Sequence, residues 1–248
     1  MKKYGLIALM LALSPLSFAN DEGGSDQQRA ATRTSLASEY FRRGAYAVAI
    51  EEAKKALEAE SEYPQALNVL AVSYLALKDE QSGRAYFERA VKAAPKDSDI
   101  NQNYGNYLCE RGEYRAGLAR YEVVLTNKLY PTPDLTLIAA ARCSLKAGDQ
   151  VLAKQYFDRA SKQATNNLSV KFQISEYLLG EGDLPRSKQL FMEVLRALPK
   201  APSELLWLGV RIERKIGNKE AELRYANELK RNYPDSVEAT KLLTGQYD

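Results

Sequence analysis

Apolar and small residues recur along this chain with the 3.6-residue spacing of amphipathic helices, and the helical segments come in pairs. One position separates the two segments of each pair, and it is occupied in turn by Gly44, Lys78, Gly112, Gly148, Gly182 and Gly217. The intervals between these positions are 34, 34, 36, 34 and 35 residues. A fixed period of this length is typical of stacked helical hairpins, each of which buries its apolar side against its neighbours.

The period matches that of the tetratricopeptide repeat (TPR). In that repeat, small residues lie where two helices approach closely, and large apolar residues fill the space between hairpins. The second unit shows this pattern clearly, with Leu67 and Ala71 in its first helix and Gly83 and Ala90 in its second. The sequence therefore predicts an all-α fold, a right-handed solenoid of about six TPR hairpins followed by a C-terminal capping helix.

The same register predicts the boundaries along the chain. We expect a signal peptide at 1–19, a flexible leader at 20–29 and a TPR domain at 30–248. The six repeats are predicted at about 30–63, 64–97, 98–133, 134–167, 168–202 and 203–234. The capping helix is predicted at about 236–243, with Asp235 or Ser236 as its N-cap.

The N-terminus has the three-part pattern of an export signal. Lys2 and Lys3 precede an apolar run at 5–16, and small residues follow. The predicted cleavage site lies between Ala19 and Asn20. The apolar run is too short to span a bilayer comfortably, so we expect no transmembrane segment in the mature chain. This pattern predicts a soluble protein of the periplasm, associated with the outer membrane through its partners.

The net charge of the chain is small. The chain of 248 residues has 35 basic and 32 acidic side chains, and removal of the signal peptide takes away two of the basic ones. A nearly neutral mature chain lacks the excess of basic charge with which proteins bind nucleic acid or an anionic membrane. We therefore expect a protein partner and no nucleic-acid partner.

Candidate chemistry is scarce. The chain has no histidine, so the commonest general base and the commonest zinc ligand are both missing. It also has no glycine-rich phosphate loop and no nucleophile motif. Neighbouring carboxylates such as Glu51 and Glu52 are interpreted as solvated helix faces. The sequence predicts a protein that is not an enzyme and has no catalytic, cofactor or metal site.

The two cysteines fall in the first helices of the third and fourth repeats. The register places Cys109 and Cys143 at the same height along neighbouring helices. Two interpretations fit this placement: a disulfide that joins the repeats, or two buried thiols that pack as small apolar residues. The even number of cysteines in an exported protein favours the disulfide.

The register also predicts a groove formed by the first helices of the repeats. Its predicted residues are Asn68, Val72, Gln102, Asn106, Ile138, Arg142, Phe172, Glu176, Trp207 and Arg211. Amide side chains in such a groove suit a peptide, because they both donate to and accept from a main chain. Ile138, Phe172 and Trp207 are the candidate apolar anchors. The alternative is that these residues form only a hydrated inner wall.

Beyond the repeat, one stretch resembles a particular family. The segment 101–112 (NQNYGNYLCERG) is similar to the Asn-rich, Tyr-Gly, Leu-Cys and Gly signature of the type IV pilus biogenesis and stability TPR proteins, the PilW/PilF pilotin family. Tyr130-Pro131, followed by the segment 141–143 (ARC) and Gly148, resembles that family's second cysteine region. The segments 232–236 and 245–247 resemble its tail, so the resemblance covers the chain from about residue 30 onward.

The resemblance implies a scaffold for type IV pilus biogenesis. Its partner would be the pilus secretin or another pilus-assembly protein, and it would aid assembly, outer-membrane localisation or stability of the secretin. It also implies that the two cysteines are paired. The family is normally lipidated on a cysteine directly after the signal peptide, whereas this chain has Asn20 there. The alternative function is a general periplasmic TPR adaptor in envelope or cell-wall complex assembly.

Overall fold

The computed structural model describes residues 25–163 and 165–247, which divide into two compact units. The first unit ends at Gly83 and contains α1 (Asp26–Arg42), α2 (Tyr46–Ala59), α3 (Pro64–Ala76) and the start of α4 (Glu80–Ala93). The second unit contains the rest of α4 and then α5 (Ser98–Glu110), α6 (Tyr114–Thr126), α7 (Pro133–Lys146), α8 (Gln150–Ser161), α9 (Leu168–Glu181), α10 (Leu184–Ala197), α11 (Ser203–Ile216), α12 (Lys219–Asn232) and α13 (Val237–Thr244). Helices are the only regular elements in this part of the chain, which confirms the predicted all-α class.

Consecutive helices pack as hairpins, and the hairpins stack. In the first unit α1 packs on α2, and α3 packs on both of them. In the second unit the hairpins are α5/α6, α7/α8, α9/α10 and α11/α12. The first helices of successive hairpins are neighbours there, so that α7 lies beside α5, α9 beside α7 and α11 beside α9. The final helix, α13, covers α11 and α12, as expected of a capping helix.

The turn within each hairpin depends on one left-handed residue. All six positions that the sequence marks as turns have a positive φ, for example 82° at Gly182, 85° at Gly217 and 67° at Lys78. Glycine adopts this conformation without a Cβ clash, and the lysine shows that the turn itself imposes it. In four of the six hairpins the next residue then caps the second helix with its side chain; the Asp183 carboxylate, for example, accepts from the Arg186 N–H at 3.2 Å.

Small residues lie where two helices approach closely, as predicted. A Cβ added at Gly105 would lie 2.8 Å from the Tyr121 ring. At Gly209 it would lie 2.7 Å from the Phe191 ring and 3.0 Å from the Tyr225 ring. Each glycine therefore makes room for a large aromatic side chain, and these rings fill the core between neighbouring helices.

The first helix begins earlier than the predicted leader allows. Helix α1 starts at Asp26, inside the segment 20–29 that was expected to be a flexible leader. The Ser25 hydroxyl accepts from the Gln28 N–H at 3.2 Å, and Asp26 adds a negative charge to the first turn. This cap is strong enough to start the helix, and the predicted boundary at residue 29 is wrong in that respect.

At the other end, the capping helix begins at Val237. The Ser236 hydroxyl accepts from the Ala239 N–H at 3.1 Å, so Ser236 is the N-cap. The signal-peptide prediction, including the cleavage site at Ala19 and Asn20, lies outside the described residues.

The neighbours Glu51 and Glu52 have different environments. Glu51 is exposed, as expected, but Glu52 is buried with 7% of its surface accessible. Its carboxylate accepts from the Arg33 guanidinium at 2.8 Å and from the Lys55 ammonium at 2.6 Å. The interpretation of this pair as a solvated face is wrong for Glu52, because the α1/α2 interface supplies two cations for it.

Candidate partner-binding face

Four of the first helices lie side by side in the second unit and carry most of the predicted groove residues. We call the surface with Gln102, Asn106, Ile138, Arg142, Phe172, Glu176, Trp207 and Arg211 the first-helix face. A cleft of about 330 Å³ crosses α5, α7 and α9 on this face. Its lining includes Gln102, Asn106, Ile138 and Arg142, so the structure brings these four predicted residues together.

A short chain of hydrogen bonds fixes the amides of this cleft. The Tyr121 hydroxyl donates to Asn106 Oδ1 at 2.8 Å, and Gln102 Nε2 donates to the same oxygen at 3.2 Å. The Thr136 hydroxyl in turn donates to Gln102 Oε1 at 2.6 Å. Burial raises the pKa of Tyr121, so its hydroxyl stays a donor at neutral pH. Within the described residues the Asn106 amide nitrogen makes no hydrogen bond, and it is available to a ligand.

Charge at the cleft comes from Arg142. Its side chain is exposed, and among the residues that the structure describes it forms no ion pair or hydrogen bond. It also lines a second cleft of about 270 Å³ together with Asn106, Glu110 and Lys146. An exposed guanidinium next to a free amide N–H₂ group offers donors to a main-chain carbonyl or to a carboxylate.

The two cysteines lie at the base of that second cleft. Cys109 on α5 and Cys143 on α7 have Cα atoms 5.6 Å apart, and their sulfur atoms are at bonding distance. This Cα separation suits a disulfide without movement of the backbone. Such a bond would hold α5 against α7 directly below Asn106 and Arg142. The disulfide itself stays a prediction.

The three predicted apolar anchors differ in exposure. Ile138 and Trp207 are buried, with 3% and 6% of their surface accessible, so neither is free to contact a partner as it stands. Phe172 is partly exposed and lines an apolar cleft of about 330 Å³ with Leu168 and Leu205. Only Phe172 is therefore placed as an apolar anchor requires.

Trp207 is covered by the C-terminal segment of the chain. The Tyr247 ring stacks on the Trp207 ring at a centroid distance of 5.4 Å. Close by, Arg211 Nη1 and Glu176 Oε1 lie 3.7 Å apart, so these two predicted residues meet. Burial raises the pKa of Glu176, and the charges of Arg211 and Lys241 oppose this effect.

The first unit carries the two remaining predicted groove residues. Asn68 and Val72 lie on α3 and are partly buried. Their one-turn spacing places both on the same side of that helix.

Three residues that contribute to the first-helix face were not predicted from the sequence. Tyr121 lies on α6, a second helix, and only the facing Gly105 marks its place in the sequence. Thr136 precedes the residues that the register selects on α7, and it is buried. Tyr247 follows the last helix, where no repeat pattern applies.

Neither a membrane-spanning helix nor a metal-binding cluster is found among the described residues. No helix in 25–163 or 165–247 has the length and apolar character needed to cross a membrane. The same residues contain no group of three or more cysteine or carboxylate side chains with the geometry of a metal site.

Comparison with known proteins agrees with the fold. The family model of the tetratricopeptide repeat matches residues 34–98. Type IV pilus assembly protein PilF of Pseudomonas aeruginosa is 25% identical over 218 residues, which cover 88% of this chain and 85% of PilF. The solved structure of P. aeruginosa PilF superposes with a TM-score of 0.80 at 22% identity, covering 89% of this chain and 99% of that one.

A second pilus protein gives a similar result. The crystal structure of PilW, described as a widely conserved type IV pilus biogenesis factor, has a TM-score of 0.74. It is 27% identical and covers 87% of this chain and 99% of its own. These matches confirm the resemblance found in the sequence. The chain has the tetratricopeptide-repeat fold and is similar, along most of its length, to the type IV pilus proteins PilF and PilW.

Proposed function

We propose that this protein is a non-enzymatic scaffold of type IV pilus biogenesis. It aids the assembly, outer-membrane localisation or stability of the pilus secretin, by binding the secretin or another pilus-assembly protein. The observation that carries the proposal is the similarity to a type IV pilus assembly protein over 88% of this chain. The signal pattern of residues 1–19 supports a periplasmic site of action.

The geometry of the first-helix face supports binding of an extended peptide. Asn106 and Arg142 place free donors on one cleft, and Tyr121 and Gln102 hold the Asn106 oxygen in a fixed orientation. An extended segment presents main-chain carbonyls at regular intervals, which such donors can bind. Phe172 offers an apolar contact on the neighbouring repeat.

Deletion of the gene tests the pilus role. We expect fewer secretin multimers in outer-membrane fractions and fewer surface pili, with both restored by the gene supplied on a plasmid. Secretin multimers and pili that stay at wild-type levels would overturn the proposal. That result, combined with defects in other envelope complexes, would favour the general periplasmic adaptor instead.

A further inference from the structure

The C-terminal segment lies on the first-helix face at α11. Tyr247 stacks on Trp207 with an angle of 25° between the rings, and the Arg214 guanidinium lies 3.8 Å from the centroid of the Tyr247 ring. Arg211 Nε donates to the main-chain carbonyl of Tyr247 at 3.1 Å. The segment thus makes one aromatic, one cation–π and one main-chain contact with a single helix.

These contacts use residues that share one stripe of α11. Trp207, Arg211 and Arg214 follow each other at spacings of four and three residues, so they line the same side of the helix. Arg211 also forms the ion pair with Glu176 of α9. The stripe is therefore part of the first-helix face, at its C-terminal end.

Gly245 directs the chain onto this stripe. It ends α13 with a φ of 69°, and the Gln246 N–H donates to the Lys241 carbonyl at 2.9 Å. This turn reverses the chain immediately after the last helix. The contact with α11 then rests on Tyr247, because Gln246 is exposed.

We propose that Trp207, Arg211 and Arg214 form a binding site for an aromatic residue of an extended partner segment, and that Tyr247 occupies this site as an intramolecular competitor. The site recognises a flat ring together with the carbonyl of the same residue. The Tyr247 hydroxyl makes no hydrogen bond within the described residues, so the site selects for an aromatic ring and accepts phenylalanine as well as tyrosine. The inference rests on the proposed role of the first-helix face in partner binding.

The way the tail is held makes an exchange feasible. Among the described residues after α13, Tyr247 is the single side-chain anchor, and it is partly exposed. Ordering such a segment costs conformational entropy that offsets its few contacts. A partner segment that also contacts neighbouring repeats can therefore displace it.

Trp207 provides the readout, because it is the only tryptophan of the chain. The full-length Tyr247→Ala variant is titrated with a synthetic peptide of residues 244–248 (TGQYD), and tryptophan emission is followed. We expect red-shifted emission in the free variant and a saturable return towards the wild-type spectrum with the peptide. Wild-type protein should bind the peptide about tenfold more weakly, because its own tail competes at a high effective concentration.

Matched peptides separate the aromatic residue from the rest of the segment. The peptide with phenylalanine in place of tyrosine should bind like the original, and the peptide with alanine should cause no saturable change. Arg211→Met in the Tyr247→Ala background should weaken binding, because it keeps the aliphatic stem and removes the donor to the carbonyl. The proposal is overturned if the tyrosine peptide causes no saturable change, if the alanine peptide binds equally, or if wild-type protein binds as tightly as the variant. None of these outcomes depends on secretin levels. The proposed pilus role is therefore tested separately, by deletion of the gene.

Discussion

At the scale of single residues, Asn106 shows how the face is made specific. Its side-chain oxygen accepts from Tyr121 and from Gln102, and both bonds leave the amide nitrogen pointing away from internal acceptors. The buried Tyr121 hydroxyl therefore determines which end of the amide a partner meets. A residue in the core of the hairpin orients a residue on the surface.

The substitution Tyr121→Phe removes this hydroxyl and keeps the ring. We expect it to lower the free energy of unfolding by about 1 kcal/mol, the usual net contribution of one hydrogen bond. Urea unfolding followed by circular dichroism measures the change. Tyr104→Phe is the matched control, because the Tyr104 hydroxyl makes no hydrogen bond within the described residues. Equal losses in the two variants would contradict a specific role of the Tyr121–Asn106 bond.

Glu52 gives a prediction for the dependence of stability on pH. Hydrogen bonds from Lys55 and then from Arg33 lower the pKa of Glu52 below its ordinary value of 4.5. The unfolded chain therefore binds this proton more readily, so the stabilisation is complete above about pH 4.5 and disappears as the pH falls through the lower folded pKa.

We expect Glu52→Gln to lower the free energy of unfolding at neutral pH by about 1 kcal/mol, since both cationic partners are half-exposed. The difference from wild type should shrink towards acid pH. Glu51→Gln is the control, because Glu51 is exposed on the same helix. A difference that stays constant from neutral to acid pH would show that charge is not its source.

At the scale of elements, the pair α5 and α7 forms the centre of the face. Cys109 and Cys143 are 34 residues apart, one repeat, so the repeat itself places them on neighbouring first helices. Any link between them fixes the helices that carry Asn106 and Arg142.

Oxidation of this pair can be tested directly. We expect native oxidised protein to contain no thiol that reacts with an alkylating agent, and mass spectrometry measures this. The double variant Cys109→Ser with Cys143→Ser should lose about 3–4 kcal/mol of unfolding free energy, the loop-closure value for a ring of this length. Two alkylatable thiols in the native oxidised protein would contradict the disulfide.

Close helix approach gives a second prediction at this scale. Gly209→Ala should lower the free energy of unfolding by about 1–3 kcal/mol, because the new methyl group would press on the Phe191 and Tyr225 rings. Gly180→Ala, also within a helix, meets no atom within 4 Å and should stabilise by up to about 1 kcal/mol. Thermal unfolding of both variants gives the comparison, and a similar melting temperature for the two would argue against a tight α10/α11/α12 contact.

At the scale of the whole molecule, partner binding and the stability of the fold can be tested separately. Asn106→Ala with Arg142→Ala should weaken partner binding at least about tenfold, because it removes two free donors, while helicity and melting temperature change little. Co-purification of the secretin from a complemented deletion strain measures binding. Gln155→Ala with Arg196→Ala is the control, since both residues are exposed on second helices. Normal binding by the first variant would place the partner on another face.

Much of this organisation follows from the sequence because a repeat fold is built from local contacts. The six turn residues, the small residues at close approaches and the placement of the two cysteines all depend on spacing along the chain. Each hairpin contacts mainly its neighbours, so the same pattern has the same meaning in every repeat. Four of the predicted groove residues meet at one cleft for this reason.

Other features depend on individual contacts that the repeat pattern does not specify. The start of α1 depends on a single serine cap, and the burial of Glu52 on cations from two helices. The exposure of Trp207 depends on a tail that lies 40 residues further along the chain. The sequence by itself determined the fold, the turns and the helices that carry the face, because these repeat with a fixed period. Only the tertiary structure decided which residues of the face are free, because hydrogen bonds, ion pairs and the covering tail join distant parts of the chain.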